Sequence, residues 1–217
     1  MSPSPWTGKP RPISPDGLVA ELADRIVRFP TDTWARVAVD GAPVARPADL
    51  AAALVDPLRV RGRPVLAVSA GDFLLPASLR LERGREDPDE LYERWLDTGA
   101  LAREVLDPLG PGGSGRVLPS RWDAERDRAT RADYVTLPPG GVLLLSGALL
   151  LGRGLAVDLA VHLRLSPAAL RRRGEVEWAL PAYARYEREV APARIAAVVV
   201  QADDPDHPAV IWNGQQL

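Results

Sequence analysis

Five strand-like segments, most of them short apolar runs and each separated from the next by a longer polar or helix-length stretch, constrain the fold of this chain more than any other feature. They lie at residues 35–39, 64–68, 142–145, 156–165 and 195–200. A strand with one wet face alternates apolar and polar residues, whereas most of these runs do not, which fits strands covered on both faces of a parallel sheet. Helix candidates lie between them. Residues 18–28 place Leu18, Val19, Leu22, Ile26 and Val27 near one helical face, with Asp16-Gly17 as the entry turn. Further candidates are residues 47–58, 87–106, 167–178 and 181–190, and Pro47, Pro167 and Pro181 each suit a first helical turn, where a missing N–H costs little. The alternation predicts an α/β domain with a mostly parallel sheet flanked by helices. The glycine-rich residues 109–115 read as a mobile loop, and there is no internal repeat.

Composition narrows the class further. A chain of 217 residues, 46% hydrophobic, supports one sizeable core, and a formal charge of -2 argues against non-specific nucleic-acid binding. Cysteine is absent, which excludes disulfides and thiolate metal sites and makes a reducing, cytoplasmic setting the simplest assignment. The longest apolar run, residues 142–151, is broken by Ser146 and Gly147 and is too short to span a bilayer, so no membrane partner is expected. Residues 1–14 lack a signal-peptide core and read as a disordered leader, residues 15–212 as one domain, and residues 213–217 as a tail. The 22 prolines and near-complete use of arginine over lysine resemble the codon bias of a GC-rich genome, which weakens arguments from arginine counts.

Between the first apolar run and the second helix candidate, residues 41–48 have the position and spacing of a phosphate-binding loop. Such a loop closes backbone N–H groups around phosphate oxygens, neutralises them with a lysine and holds Mg²⁺ with a Ser/Thr hydroxyl. Here Gly41 is kept, but Arg46 stands at the second glycine, Pro47 at the lysine and Ala48 at the hydroxyl. Proline also removes a donor where donors are needed. The only lysine in the chain is Lys9, in the leader.

Colinear segments then carry a family resemblance. They include residues 22–26 (LADRI), 36–41 (RVAVDG), 68–73 (VSAGDF), 83–88 (RGREDP), 106–113 (LDPLGPGG), 142–147 (VLLLSG), 169–173 (ALRRR) and 183–192 (YARYEREVAP). Over residues 18–210 their order resembles the uridine kinase-like branch of P-loop nucleoside kinases, in the version common in actinobacteria. That resemblance implies a P-loop kinase sheet with a helical lid at about residues 167–192. It also implies a general-base aspartate after the second strand, where this chain has Gly71 and keeps only Asp72. A base must reach the hydroxyl proton, which glycine cannot do; Asp72 either takes over or forms an Asx-type turn or helix cap. At the third strand Ser146 replaces an acidic residue that helps organise Mg²⁺ in the family.

Other family positions persist. Asp97 matches a ribose-binding carboxylate and Trp122-Asp123 an aromatic-acid pair near the base; the plain alternatives are a solvent-facing helix carboxylate and a packing residue. Arg171, Arg172 and Arg173 match lid arginines that would embrace a triphosphate, joined by Arg185 and Arg194, with Gly41 and Arg46 completing an anion site. A solvated arginine face is the plain alternative. His162, inside an apolar strand, reads as a packed imidazole and His207 as a surface loop residue. Asp203, Asp204, Asp206 and His207 lack metal-ligand spacing, and no metal site is assigned.

Three functions follow. One is a degenerate, pseudoenzyme-like relative that binds a nucleoside-like or other small molecule in the inherited cleft and needs no cofactor. Another is an active nucleoside kinase using ATP and Mg²⁺ through a reorganised phosphate site. The third is a small-molecule biosynthetic enzyme of different chemistry in that cleft. Self-association is left open.

Overall fold

The computed structural model describes residues 8–213. Its central sheet has seven strands: β1 (Arg11–Pro12), β2 (Ala35–Gly41), β3 (Val65–Ser69), β4 (Val142–Gly147), β5 (Leu159–Arg164), β6 (Val198–Gln201) and β7 (Ala209–Trp212). Their spatial order is β1-β7-β6-β5-β2-β4-β3. The strands from β3 to β6 in that row run parallel, as the mostly apolar runs predict, while β7 and β1 close the far edge antiparallel. Val37 and Val39 point to one face of β2, Ala38 and Asp40 to the other, and all four are buried.

Helix α1 (Pro15–Ile26) starts at Ser14, whose Oγ accepts a hydrogen bond from the Gly17 N–H, and buries Leu18, Leu22, Ala23 and Ile26. Helix α2 (Pro47–Val60) buries Ala51, Leu54 and Leu58 and packs on α1 and on β2, β3 and β4. Burying a leucine such as Leu54 contributes about 1.5–3 kcal/mol. Two shorter helices, α3 (Pro88–Glu93) and α4 (Pro167–Arg172), lie near the carboxyl ends of the strands with α5 (Leu180–Glu189), and α5 packs against α3. A bidentate Arg36–Asp158 pair, at 2.8 and 3.0 Å, ties β2 to the residue preceding β5.

Several expectations are corrected. Residues 87–106 do not form one helix: α3 ends at Glu93, Leu96 bridges Leu74 as an isolated β pair, and Asp97 caps a new helical turn at Thr98–Leu101. Residues 167–178 also divide, because Gly174 adopts φ +86° and a 3-10 turn follows at Glu177–Ala179. The glycine-rich residues 109–115 are tied down by backbone hydrogen bonds from Gly113 to Gly110, Gly115 to Pro108 and Leu137 to Gly115. The leader is shorter than expected, since β1 pairs with β7 and Ser14 caps α1; residues 1–7 lie outside the described residues. Asn213, assigned to the tail, donates its amide to the Ala193 and Ala196 carbonyls, and residues 214–217 lie outside the described residues. Among the described residues no helix is long and apolar enough to cross a membrane.

Candidate functional site

The carboxyl ends of β2, β4 and β5 open onto two neighbouring cavities, of about 600 and about 430 Å³, that share Gly41, Leu149 and Tyr183 in their walls. This is the end of a parallel sheet where α/β folds place their ligands. The larger cavity lies between the ends of β2 and β5, α4 and α5; the smaller lies between the start of α2, the ends of β3 and β4, and Trp95. Both walls are mostly apolar.

The larger cavity is built on a buried polar network. Asp40 and His162 are paired residues in the parallel β2/β5 register, so their side chains emerge side by side on one face. His162 Nδ1 lies 2.7 Å from Asp40 Oδ2, and Tyr186 of α5 donates its hydroxyl to the same oxygen at 3.0 Å. Asp40 Oδ1 accepts from the Leu150 N–H at 2.8 Å, and the Tyr186 hydroxyl accepts from the Leu151 N–H at 2.9 Å. Leu149 makes this possible by adopting a left-handed φ of +59°, which turns the two following amides towards the acceptors. A leucine rarely occupies that region, so the network holds the turn against a local cost of about 1–2 kcal/mol.

Electrostatics follow from burial. Desolvation alone would lower the His162 pKa, but its contacts with Asp40 and then Glu187 outweigh it and raise the value to about 9. The imidazole is therefore a cation at neutral pH, with Nδ1–H directed to Asp40. Its Nε2 is screened from solvent and has no hydrogen-bond partner; Glu187 Oε1, 3.6 Å away, is beyond hydrogen-bond reach. Burial first, then the Asp40 charge, pushes the Tyr186 phenol above its ordinary value. Burial and then Glu175 do the same for Tyr183, so both stay neutral donors.

Residues 41–48 line the smaller cavity in part. After Gly41 the chain makes a 3-10 turn, Pro43–Ala45, Arg46 takes a left-handed φ of +62°, and Pro47 begins α2. A Cβ at Gly41 would sit 3.0 Å from Leu163 Cβ and 3.4 Å from Ala45 Cβ, so the turn packs closely on β5. Arg46 is ion-paired to Asp49, with both side chains more than half exposed. Gly147 brings β4 close to the segment after β3, where a Cβ would meet Ala70 Cβ at 2.6 Å. Trp95 adds a buried indole N–H without a hydrogen-bond partner.

The remaining candidates fall into two groups. Asp72, Asp97, Trp122 and Asp123 lie beside one another but line neither cavity. Asp97 caps its helix through the Ala100 N–H and pairs with Arg121, whose own N–H donates to the Asp72 carbonyl. Asp123 accepts from the Glu125 and Arg126 amides, and Trp122 donates to Asp127. Burial and then the nearby Asp123 raise the Asp72 pKa. The arginines are engaged: Arg171 with Glu177, Arg172 with the Asp203 carbonyl, Arg173 with the Ala202 carbonyl, and Arg185 with Asp89, Glu93 and Glu189. Of these four, only Arg171 lines either of these two cavities, on the wall of the larger one. His207 is exposed and paired with Asp204, and no cluster of three or more metal-ligating side chains occurs among the described residues.

Sequence reasoning passed over Asp40 and left His162 as a packed imidazole. The available signal was a polar residue near the end of each of two apolar runs that a parallel sheet could make adjacent.

No protein-family model matches the chain, and no curated protein matches it. Among solved structures, 43 chains match. One, described as a possible uridine kinase from Bacillus stearothermophilus, aligns with a TM-score of 0.69 at 20% identity, covering 83% of this chain and 96% of that one. Another, described as a "putative fructose transport system kinase" from Silicibacter sp. TM1040, aligns at 0.55 and 23% identity over 81% of this chain and 91% of that one. A third, the YGR205w protein, aligns at 0.58 and 10% identity over 92% and 99%. At these identities the likeness is one of fold: an α/β domain with a mostly parallel sheet flanked by helices.

Proposed function

We propose that this chain is a uridine kinase-like protein that has left ATP/Mg²⁺ phosphoryl transfer and binds a small organic molecule in the cleft at the strand ends. The observation that carries the reading is the turn after β2. Arg46 and Pro47 stand at the glycine and lysine positions of a phosphate loop, and Arg46 is paired to Asp49. Pro47 offers no N–H and Ala48 no hydroxyl, so these residues do not fit a magnesium-bound triphosphate, and no phosphoryl-transfer step is derived through it.

Lysine cannot be supplied from elsewhere. Lys9 precedes β1, four strand spacings from β2, about 19 Å across the sheet. Gly71 and Ser146, both on the wall of the smaller cavity, stand where the kinase resemblance expects carboxylates. Phosphoryl transfer depends on positioning and charge neutralisation, so changing cradle, base and metal ligand together removes the main sources of rate. The arginines are no ready replacement, because each is already committed to a carboxylate or a carbonyl.

Thermal melting with ATP, in the presence and absence of Mg²⁺, tests this directly. A ligand at a hundred times its Kd stabilises by about 2.7 kcal/mol, which a melting curve resolves. The expected outcome is no magnesium-dependent rise; a clear one overturns the proposal.

A further inference from the structure

The geometry points to the larger cavity as a binding site for a small, mainly apolar molecule carrying one hydrogen-bond acceptor oxygen, carbonyl or carboxylate, received by His162 Nε2–H. This names the ligand class for the cleft-binding reading above and rests on it.

Three observations converge. The cavity's volume of about 600 Å³ lies within the usual range for small-molecule sites, and its walls include Leu149, Leu163, Leu165, Leu170 and Leu180. His162, with 5% of its side chain exposed, is held by Asp40 through Nδ1, and its Nε2 has no hydrogen-bond partner. A buried donor left unsatisfied carries a desolvation penalty that an incoming acceptor relieves. Asp40 cannot be that acceptor at Nε2, because both its oxygens are already used by His162 Nδ1, Tyr186 and the Leu150 amide.

The group beside Nε2 is displaceable. Glu187 Oε1 stands 3.6 Å from it on a side chain 43% exposed, and Glu187 lines the same cavity. Its carboxylate can turn to water while a ligand oxygen takes its place. The charged groups around the cavity balance: His162 faces Asp40 and Glu187, while Arg164 and the Arg171–Glu177 pair lie on the wall. That balance admits a neutral carbonyl as well as a carboxylate. A cation that can only donate has no favourable place beside an imidazolium.

The chain has only two histidines, His162 and the exposed His207, so imidazole ¹⁵N signals report the site without crowding. The probes are octanoate, 2-octanone and octylammonium, titrated into the full chain. Octanoate and 2-octanone are expected to shift the His162 Nε2 signal saturably and leave His207 unmoved, with octylammonium doing neither. Relative strength of the two acceptors distinguishes a carboxylate from a carbonyl ligand. Glu187→Ala is expected to tighten octanoate binding by about threefold, by removing the competing charge. Leu170→Trp, filling the cavity away from the network, is expected to abolish both responses while the folded chain keeps its His162–Asp40 signal. The inference is overturned if neither acceptor moves His162 in the wild type or in Glu187→Ala, if octylammonium acts equally, or if Leu170→Trp leaves the response intact. A magnesium-dependent ATP effect would overturn the loss of phosphoryl transfer alone, so the two failures are distinguishable.

Discussion

Asp40 and Arg46 sit six residues apart at the end of the same strand, yet their surroundings differ in every respect that decides energy. Asp40 is fully buried, accepts from a ring, a hydroxyl and a backbone amide, and faces a cationic imidazole. Arg46 makes one ion pair, Arg46–Asp49, with both side chains largely in water. In a phosphate-binding loop the second of these positions would hold the site's main investment in anion recognition. In this chain the organised polar chemistry lies one residue before Gly41 and faces the opposite cavity. The difference teaches that burial and converging donors concentrate the polar organisation at Asp40, while the turn that follows leaves Arg46 to solvent.

The sharpest way to break that contrast is Asp40→Ala. It strips the acceptor from a buried imidazolium and leaves the Leu150 N–H without its partner. Removing one member of a buried charge pair costs about 3–5 kcal/mol. The midpoint of urea unfolding should fall accordingly, and a loss under 1 kcal/mol would show that the network is incidental to stability.

Next in size is the pH dependence. His162 is raised from 6.5 to about 9 in the folded chain, so the folded state holds its proton more tightly than the unfolded state. The stabilisation is therefore fully present below about pH 6.5 and is lost as pH rises through about 9. At 1.36 kcal/mol per unit the loss is on the order of 3 kcal/mol. Groups facing the ring are Asp40 on β2 and Tyr186 and Glu187 on α5. Unfolding free energy should fall between pH 6.5 and about 9.5, a limit chosen because free tyrosine titrates near 10. His207→Gln should keep the slope, and a flat profile in the wild type would sink the assignment of a buried imidazolium.

The same contrast explains what could be read from the sequence. Parallel strands were legible because burial on both faces leaves unbroken apolar runs such as residues 142–145, whose four residues are all buried. The break after α3 was not, because apolar pairs at i, i+4 spacing, Leu91/Trp95, Leu96/Ala100 and Leu101/Val105, continue through it. Only the tertiary bridge from Leu74 to Leu96 and the cap at Asp97 override the helical pattern. Edge strand β1 is only two residues long and pairs with β7, which itself pairs with β6, and local composition does not announce so short a strand. The site was half legible: residues 41–48 are contiguous and can be compared with a motif. Asp40 and His162 are 122 positions apart and meet only through the β2/β5 register. Tyr186 arrives on a third element, so no local window contains the network.

The smallest expected effect is the most discriminating about the loop itself. Arg46→Ala removes a pair whose side chains are 71% and 54% exposed, and such pairs contribute 0–1 kcal/mol. The left-handed backbone at residue 46 already disfavours any side chain, arginine or alanine alike. Stability should therefore change by less than about 0.5 kcal/mol, an order of magnitude below Asp40→Ala. Arg46→Gly tests the other half of the argument, because glycine tolerates φ +62° at no steric cost. It should stabilise the chain by a few tenths of a kcal/mol to about 1 kcal/mol, since the relief of left-handed strain exceeds the lost surface pair. A fall of more than 1 kcal/mol with either variant would mean that Arg46 supports more than its exposed contact with Asp49, and the asymmetry between the two ends of this turn would have to be redrawn.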